Sequence, residues 1–256
     1  VQPFADLYNS ALSLEFWLAT KLWALTYTPS LTLDSPYLGN LPYPTSGLTC
    51  IKSAKGTGKT TALQSLIREA TSLGRKVLVV THRIQLGRAI CESIGIDWIE
   101  EVKESETQGL LGYGLCIDSL HSTSQARFNP QFWKGAIVIL DEVEQVLWHA
   151  LNSSTCYDHR VKILETLREL VQVVLNSGGL IIAQDADLSD VSIDYLKGLV
   201  EEPIEPWIVV NQWKPETGWV ISFYDTKNPA SLVARMEDFI EQGAVFVALD
   251  SQKVSG

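Results

Sequence analysis

The residues with the clearest chemical potential lie in one stretch, Leu48 to Leu63, which reads LTCIKSAKGTGKTTAL. It begins as an apolar strand over Leu48 to Ile51, passes through small and cationic residues from Ser53 to Lys59, and opens a helix at Thr60. Gly56 and Gly58 let the backbone curl so that successive N–H groups point inward, and the helix start adds its partial positive charge. Such a loop suits a triphosphate. The candidate nucleotide-binding residues are therefore Ser53, Lys55, Gly56, Thr57, Gly58, Lys59, Thr60 and Thr61. Lys59 is expected to reach the β- and γ-phosphates and the Thr60 hydroxyl to hold Mg²⁺. Ser53 stands where the GxxxxGK[ST] pattern has its first glycine, and a small side chain still fits the start of the curl. A glycine-rich turn ahead of an ordinary helix is the plain alternative; the strand before and the helix after favour phosphate.

A second group follows the strongest apolar run, Ala136 to Leu140 (AIVIL), which ends at Asp141 and Glu142. With a phosphate loop elsewhere in the chain, Asp141 is expected to hold Mg²⁺ through its water shell. Glu142 is expected to orient and deprotonate an attacking water. An acidic pair at this place also caps a following helix, and without the loop that reading would prevail. Thr81, His82 and Arg83 sit where a strand gives way to a helix, a place where a backbone phosphate of nucleic acid can be gripped. A cationic helix start is as often simply solvated.

The elements that must position these groups alternate. Apolar runs at Val77 to Val80, Gly114 to Asp118, Ala136 to Leu140 and Leu180 to Ala183 read as strands. Helical patterns are carried by Leu63, Leu66, Ile67 and Ala70, by Ile84 to Ile94, and by Asp158 to Asn176 with Val161, Leu164, Leu167, Leu170, Val171 and Val174 inward. Continuous apolar strands between helices predict an α/β fold with a mostly parallel sheet covered on both faces. In such sheets the ligand sits beyond the carboxyl ends of the strands, where each polar cluster falls. Ser119 reads as a helix cap, and acidic Asp97 to Gln108, with Trp98, as a surface segment.

From Tyr27 to Ser46 the chain is an ordered connector broken by Pro29, Pro36, Pro42 and Pro44. Ahead of it, Leu14, Leu18, Leu22 and Leu25 recur at helical spacing. Glu15 and Lys21 interrupt the run, which is too short to span a bilayer, so it reads as a buried helix with no export signal. Past Pro203 the texture changes. Strands over Ile208 to Trp213 and Trp219 to Tyr224, joined by a KPETG turn, then a helix over Ala230 to Glu241 and a strand over Ala244 to Leu249, suggest a second domain. The division is 1–36 extension and connector, 37–205 nucleotide-binding domain, and 206–256 the start of a second domain. The sequence begins at Val1 and stops at Gly256 just after a strand-like run, so both ends read as cut.

The hydrophobic share of 46% with 20% charged residues predicts a substantial core and no disordered tract. Cys50, Cys91, Cys116 and Cys156 form no CxxC pair, which suits a reducing, cytoplasmic setting and argues against a zinc site or disulfide framework. His82, His121, His149 and His159 show no metal spacing. A net charge of −10 counts against a surface coated with nucleic acid and leaves room only for a local basic track. The tryptophans, Trp17, Trp23 and Trp148 among them, read as core or interface residues rather than base-stacking platforms.

The order of motifs, SAKGTGKT, THRIQL, CIDSL, ILDEVEQ, AQDAD and VALDSQ, resembles the series found in superfamily 2 helicases, P-loop NTPases built of RecA-like domains. It is similar to the herpesvirus origin-binding helicases and closer to the helicase part of cyanobacterial plasmid replication proteins, where a primase-like region accompanies the motor. The resemblance runs from about Tyr37 to the end; the phosphate loop and ILDEVEQ are its specific motifs. It implies a RecA-like P-loop domain followed by the beginning of a second, with ATP and Mg²⁺ as cofactors. The implied partners are DNA, replication proteins and a primase region of the same protein, with no membrane. Lys59, Asp141 and Glu142 would be the catalytic residues. Thr81, His82, Arg83, Ser119 and Ser251 would face nucleic acid, with Asp250 and Gln252 beside the last. Asp185 and Ala186 would couple nucleotide state to domain movement through Glu144 or Gln145. DEVE departs from the DEAD and DEAH forms, which leaves the partner of its fourth residue open. The family's arginine finger lies later than these residues, so the fragment is expected to bind ATP and turn it over slowly. A DNA helicase or translocase in plasmid-type replication is the implied function, with an ATP-switched DNA-binding initiator or scaffold as the alternative; a nucleotide kinase is disfavoured for want of an arginine-rich lid.

Overall fold

A computed structural model of the chain describes residues 24–102, 109–214 and 230–240. The chain divides into two compact units, Val1–Lys214 and Pro215–Gly256. In the first, the apolar runs become strands β1 (Leu31–Leu33), β2 (Gly47–Lys52), β3 (Val77–Thr81), β4 (Asp97–Trp98), β5 (Gly112–Cys116), β6 (Ile137–Asp141), β7 (Leu180–Asp185) and β8 (Trp207–Asn211). They form one sheet in the order β1-β8-β2-β7-β6-β3-β5-β4, and every pair is parallel. Its helices are α1 (Lys59–Ser72), α2 (Ile84–Ile94), α3 (Val143–Asn152), α4 (Arg160–Asn176) and α5 (Asp190–Gly198). In the second unit the described element is α6 (Ala230–Ile240), on the expected helix. No helix among the described residues is long and apolar enough to cross a membrane.

The continuous apolar runs are explained by the two cores they serve. Along β6, Val138 and Leu140 enter the core shared with α3, α4 and α5, while Ile137 and Ile139 enter the core shared with α1 and α2. In β3, Leu78 and Val80 alternate with Val77 and Val79 in the same way. A strand buried on both faces needs apolar side chains at both phases of its two-residue period. Because all the strands are parallel, their carboxyl ends share one edge. Asp141, Asp185, Thr81 and the loop after Lys52 all lie there.

Several expectations are corrected. The strand at the supposed start of a second domain at 206 is β8, hydrogen-bonded between β1 and β2, so the first sheet extends to Asn211 and also takes in Leu31–Leu33 from the connector. Trp98 is only 2% exposed, because β4 adds to the sheet edge and its indole lies over Gly87 and Gly114. Ser119 closes a short 3₁₀ turn, Ile117–Ser119, and caps no helix. Val161 is exposed: Ile163, Leu167, Leu170, Val171 and Val174 define the buried stripe of α4, and position 161 is out of phase with it. Trp148 is 61% exposed rather than core. The expected helix around Leu14 to Leu22, Trp17 and Trp23, the strands at 219–224 and 244–249, and Ser251 lie outside the described residues.

A methyl added at Gly87 would lie 2.2 Å from Trp98 Cζ3, whereas one added at Gly198 meets nothing within 4 Å. Gly87→Ala should therefore cost about 1–3 kcal/mol by overpacking a rigid ring. Gly198→Ala should be neutral or slightly stabilising. Urea unfolding midpoints of the two variants check the contrast.

Candidate functional site

The loop from Ser53 to Gly58 is built by its own backbone. Gly56 and Gly58 have φ of 80° and 75°, in the left-handed region that a side chain disfavours, and Gly58 is the N-cap of α1. Between them Thr57 is buried: its hydroxyl donates to the Ala54 carbonyl (2.8 Å) and shares a 2.6 Å hydrogen bond with Ser53 Oγ. Ser53 is also held, its N–H donating to the Asp185 carbonyl (3.1 Å) and its hydroxyl accepting from Asn211 Nδ2 (3.2 Å). This explains a serine at the glycine position. The side chains of Ser53 and Thr57 are buried and hold the loop from within.

Four strand ends supply the lining of one cleft of about 310 Å³. Lys55 and Lys59 come from the loop after β2, and His82 and Arg83 follow β3. Glu142 and Gln145 follow β6, and Asp185, Ala186 and Asp187 end and follow β7. Lys59 Nζ donates to the carbonyls of Ser53 (2.9 Å) and Ala54 (3.2 Å). Burial pulls its pKa below the ordinary lysine value, against the opposing pull of Asp141, Asp185 and Glu142. Lysine and acid pair therefore meet at one place.

Asp141 is 5% exposed and accepts a hydrogen bond from Gln184 Nε2 (2.5 Å). Burial raises its pKa above the ordinary carboxylate value; the Gln184 hydrogen bond and Lys59 lower it, and Glu142 and Asp185 add to the rise. Glu142, the N-cap of α3, stands at φ 53°, ψ 56°. A non-glycine residue there carries about 1–3 kcal/mol of strain, of the kind that collects at functional sites. Its carboxylate lies 3.8 Å from His82 Nε2. Burial is the main cause of the lowered pKa of His82, which keeps the ring neutral near pH 7.

The expected coupling residues form a network of their own. Asp185 Oδ2 accepts from the Glu144 N–H (3.0 Å) and Oδ1 from the Asp187 N–H (2.9 Å). The buried Glu144 carboxylate accepts from the N–H (2.7 Å) and hydroxyl (2.9 Å) of Ser189. Gln145 is exposed in the cleft.

Other expected residues separate from this centre. Thr81 is fully buried and donates to the Arg83 carbonyl (3.0 Å), so it shapes the turn instead of presenting a hydroxyl to nucleic acid. Ser119 lines a different cleft of about 880 Å³ with Thr123, Ser124 and Arg127. Thr60 is half-buried in the first turn of α1, and Thr61 faces a separate cavity of about 420 Å³ beside the exposed ring of Tyr37. Ser189 and Asn211 escaped the sequence reading, and Gln184 entered it only as part of the AQDAD motif without a role. Only Ser189 left a signal, a serine just ahead of a helical pattern.

Asp141 and Thr60 are the residues that could hold Mg²⁺, an ion that characteristically takes one or two protein oxygens and completes its shell with phosphate and water. Asp141 is a buried carboxylate beside two others, and Thr60 stands in the helix turn that follows Lys59. Among the described residues no group of three or more His, Cys, Asp and Glu could hold a metal by itself.

No family model matches the chain. It is 40% identical over 242 residues to an uncharacterized protein of Picosynechococcus sp. (strain ATCC 27264 / PCC 7002 / PR-6), a match covering 92% of this chain and 24% of that protein. It is 28% identical over 161 residues to the replication origin-binding protein of varicella-zoster virus, strains Dumas and Oka vaccine, covering 60% of this chain and 18% of that protein. The chain thus spans about a quarter or less of the length of the curated relatives it matches.

Because the folded Asp141 pKa is raised, its charged form opposes folding above that value, and the penalty vanishes below the ordinary carboxylate pKa of 3.8. In metal-free buffer, Asp141→Asn should therefore raise the melting temperature at pH 7 and lose that advantage as pH falls towards 3.8. Thermal melts of both proteins across this range test it.

Proposed function

We propose that this chain carries the first motor half of an ATP-dependent nucleic-acid motor, a DNA helicase or translocase of superfamily 2 type that acts in replication of a plasmid or similar element. The observation that carries the reading is the convergence of Lys59, Arg83, Glu142 and Asp185 on one cleft at the strand ends. A relative named for replication origin binding supports the replication context.

In this reading the loop from Ser53 to Thr61 receives the triphosphate through its N–H groups. Lys59 leaves the Ser53 and Ala54 carbonyls for the β- and γ-phosphates. Its partial desolvation strengthens that contact, since charges interact more strongly away from water. Mg²⁺, when bound through Thr60 and Asp141, supplies charge neutralisation for the transferring phosphoryl group. Glu142, held outward by its left-handed backbone, orients and deprotonates the attacking water. Arg83, exposed beside it, meets a backbone phosphate of the nucleic acid. The network Asp185–Glu144–Ser189 ties α3 to the end of β7 and transmits nucleotide state. Replication proteins, including a primase region of the same protein, are the proposed partners, in the cytoplasm.

The matched viral protein's name favours a second reading, an ATP-switched DNA-binding initiator or scaffold without processive movement. The full-length protein separates the two: single-stranded DNA should stimulate its ATPase and a forked duplex should be unwound. Absence of both favours the switch.

Titration of this chain with a fluorescent ATP analogue and Mg²⁺ tests the site itself. Lys59→Ala should weaken binding about tenfold or more, and Glu142→Gln should retain binding while the full-length protein loses turnover by about 10²-fold or more. Equal nucleotide affinity in the wild type and Lys59→Ala would reject the site.

A further inference from the structure

Asn211, the last residue of β8, is 7% exposed and uses every hydrogen-bonding position of its amide. Its Oδ1 accepts from the N–H groups of Ser35 (3.2 Å) and Trp213 (3.3 Å). Its Nδ2 donates to the Ser35 carbonyl (2.8 Å) and to Ser53 Oγ (3.2 Å). Exchanging the amide oxygen and nitrogen would set an NH₂ group against two N–H donors, so these contacts admit one orientation. A single side chain thus joins the connector, the glycine-containing loop and the segment by which the chain leaves the first unit, whose last residue is Lys214.

The hydrogen bonds have a direction that can be followed onward. Thr57 gives its one hydroxyl proton to the Ala54 carbonyl (2.8 Å), so in the 2.6 Å contact between the two hydroxyls Ser53 donates and Thr57 accepts. A line of bonds therefore runs from the Trp213 N–H to Asn211, from Asn211 to Ser53, from Ser53 to Thr57 and from Thr57 to Ala54. Its far end, the Ala54 carbonyl, also accepts from Lys59 Nζ (3.2 Å). Hydrogen bonds joined head to tail polarise one another, so a change at one end is felt at the other. A glycine in place of Ser53 would remove the central link.

We infer that Asn211 is a positioning residue that couples the loop from Ser53 to Gly58, through the Ser53 hydroxyl, to the point where the chain leaves the first unit at Trp213. Departure of Lys59 from the Ala54 carbonyl alters one end of the line, and the Trp213 N–H responds at the other. That signal rests on the nucleotide reading, in which Lys59 leaves Ala54 for phosphate; the line itself does not. It shares no side chain with the network Asp185–Glu144–Ser189.

Two measurements on this chain separate the line from the signal. Without nucleotide, Ser53→Ala should speed amide hydrogen exchange at Ser35 and Trp213 about fivefold, the worth of one hydrogen bond, while exchange in β6 stays as in the wild type. Unchanged exchange at both amides overturns the inference. For the signal, Lys214→Cys carries an environment-sensitive dye, the native cysteines Cys50, Cys91, Cys116 and Cys156 all being buried. Saturation with ATP and Mg²⁺ should shift its emission. Asn211→Asp, nearly the same shape but with no N–H to give to Ser53, should cut that shift to about half or less while a fluorescent ATP analogue still binds. Should Ser53→Ala loosen the whole sheet, this second variant decides. An undiminished shift in Asn211→Asp overturns the coupling, as does the lack of any shift in nucleotide-bound wild type. A wild type that binds no nucleotide instead rejects the nucleotide reading, and the exchange rates then decide the line alone.

Discussion

The arrangement depends on a crowd of negative charge at one edge of a parallel sheet. Asp141 and Asp185 are each about 5% exposed, and Glu142 adjoins the first of them. Taking a carboxylate from water is costly unless a cation or several donors meet it. Gln184 donates to Asp141, and the N–H groups of Glu144 and Asp187 donate to Asp185. Lys59 lowers the Asp141 pKa, and its amine donates to loop carbonyls. The protein therefore brings buried carboxylates together with Lys55, Lys59 and Arg83 at one cleft, so charges of both signs are concentrated there.

That crowd exists because of the topology. Parallel strands place all their carboxyl ends on one edge, and the order of the sheet puts β2, β7, β6 and β3 side by side. Their four end segments are thereby forced into mutual reach without any contact being close in sequence. The register tightens this further, since Lys52 pairs with Asp185 and Asp141 with Gln184. A residue at or just beyond one strand end consequently meets the end of the neighbouring strand. Ser53 donating to the Asp185 carbonyl is the direct expression of that rule.

How much of this was legible follows from the same physics. Lys59, Asp141, Glu142, Arg83 and Asp185 were readable because each follows an apolar run whose only stable use is a strand buried on both faces. The run identifies the strand, and the topology supplies the meeting place. Trp98 misled because its acidic neighbours suggested solvent, whereas the absent side chains of Gly87 and Gly114 make room for its ring. No local pattern encodes that vacancy. β8 was mistaken for a new domain because the chain between Gly198 and Trp207 looks like a linker, and only pairing with β1 and β2 shows that it returns to the sheet. Thr81 could not be distinguished from a surface threonine, since its role depends on a turn two residues on. Gln184 was visible only as a letter of the AQDAD motif and Asn211 not at all, because their partners Asp141 and Ser53 lie 43 and 158 residues away.

The left-handed backbone of Glu142 completes the argument. An aspartate or glutamate beginning α3 would ordinarily sit in an extended conformation, its side chain turned back onto the helix N–H groups. Here that capping duty passes to Asp185 from the neighbouring strand, which accepts from the Glu144 N–H. Relieved of it, Glu142 turns outward to the cleft and within 3.8 Å of His82. The strain is tolerable because β6 and α3 on either side are fixed by buried packing at Leu140, Val143 and Val146. An acidic pair that only capped a helix would need neither the strain nor a cap borrowed from another strand. The geometry therefore separates Glu142, turned to the cleft, from a glutamate that caps its own helix, a distinction that the letters DE leave open.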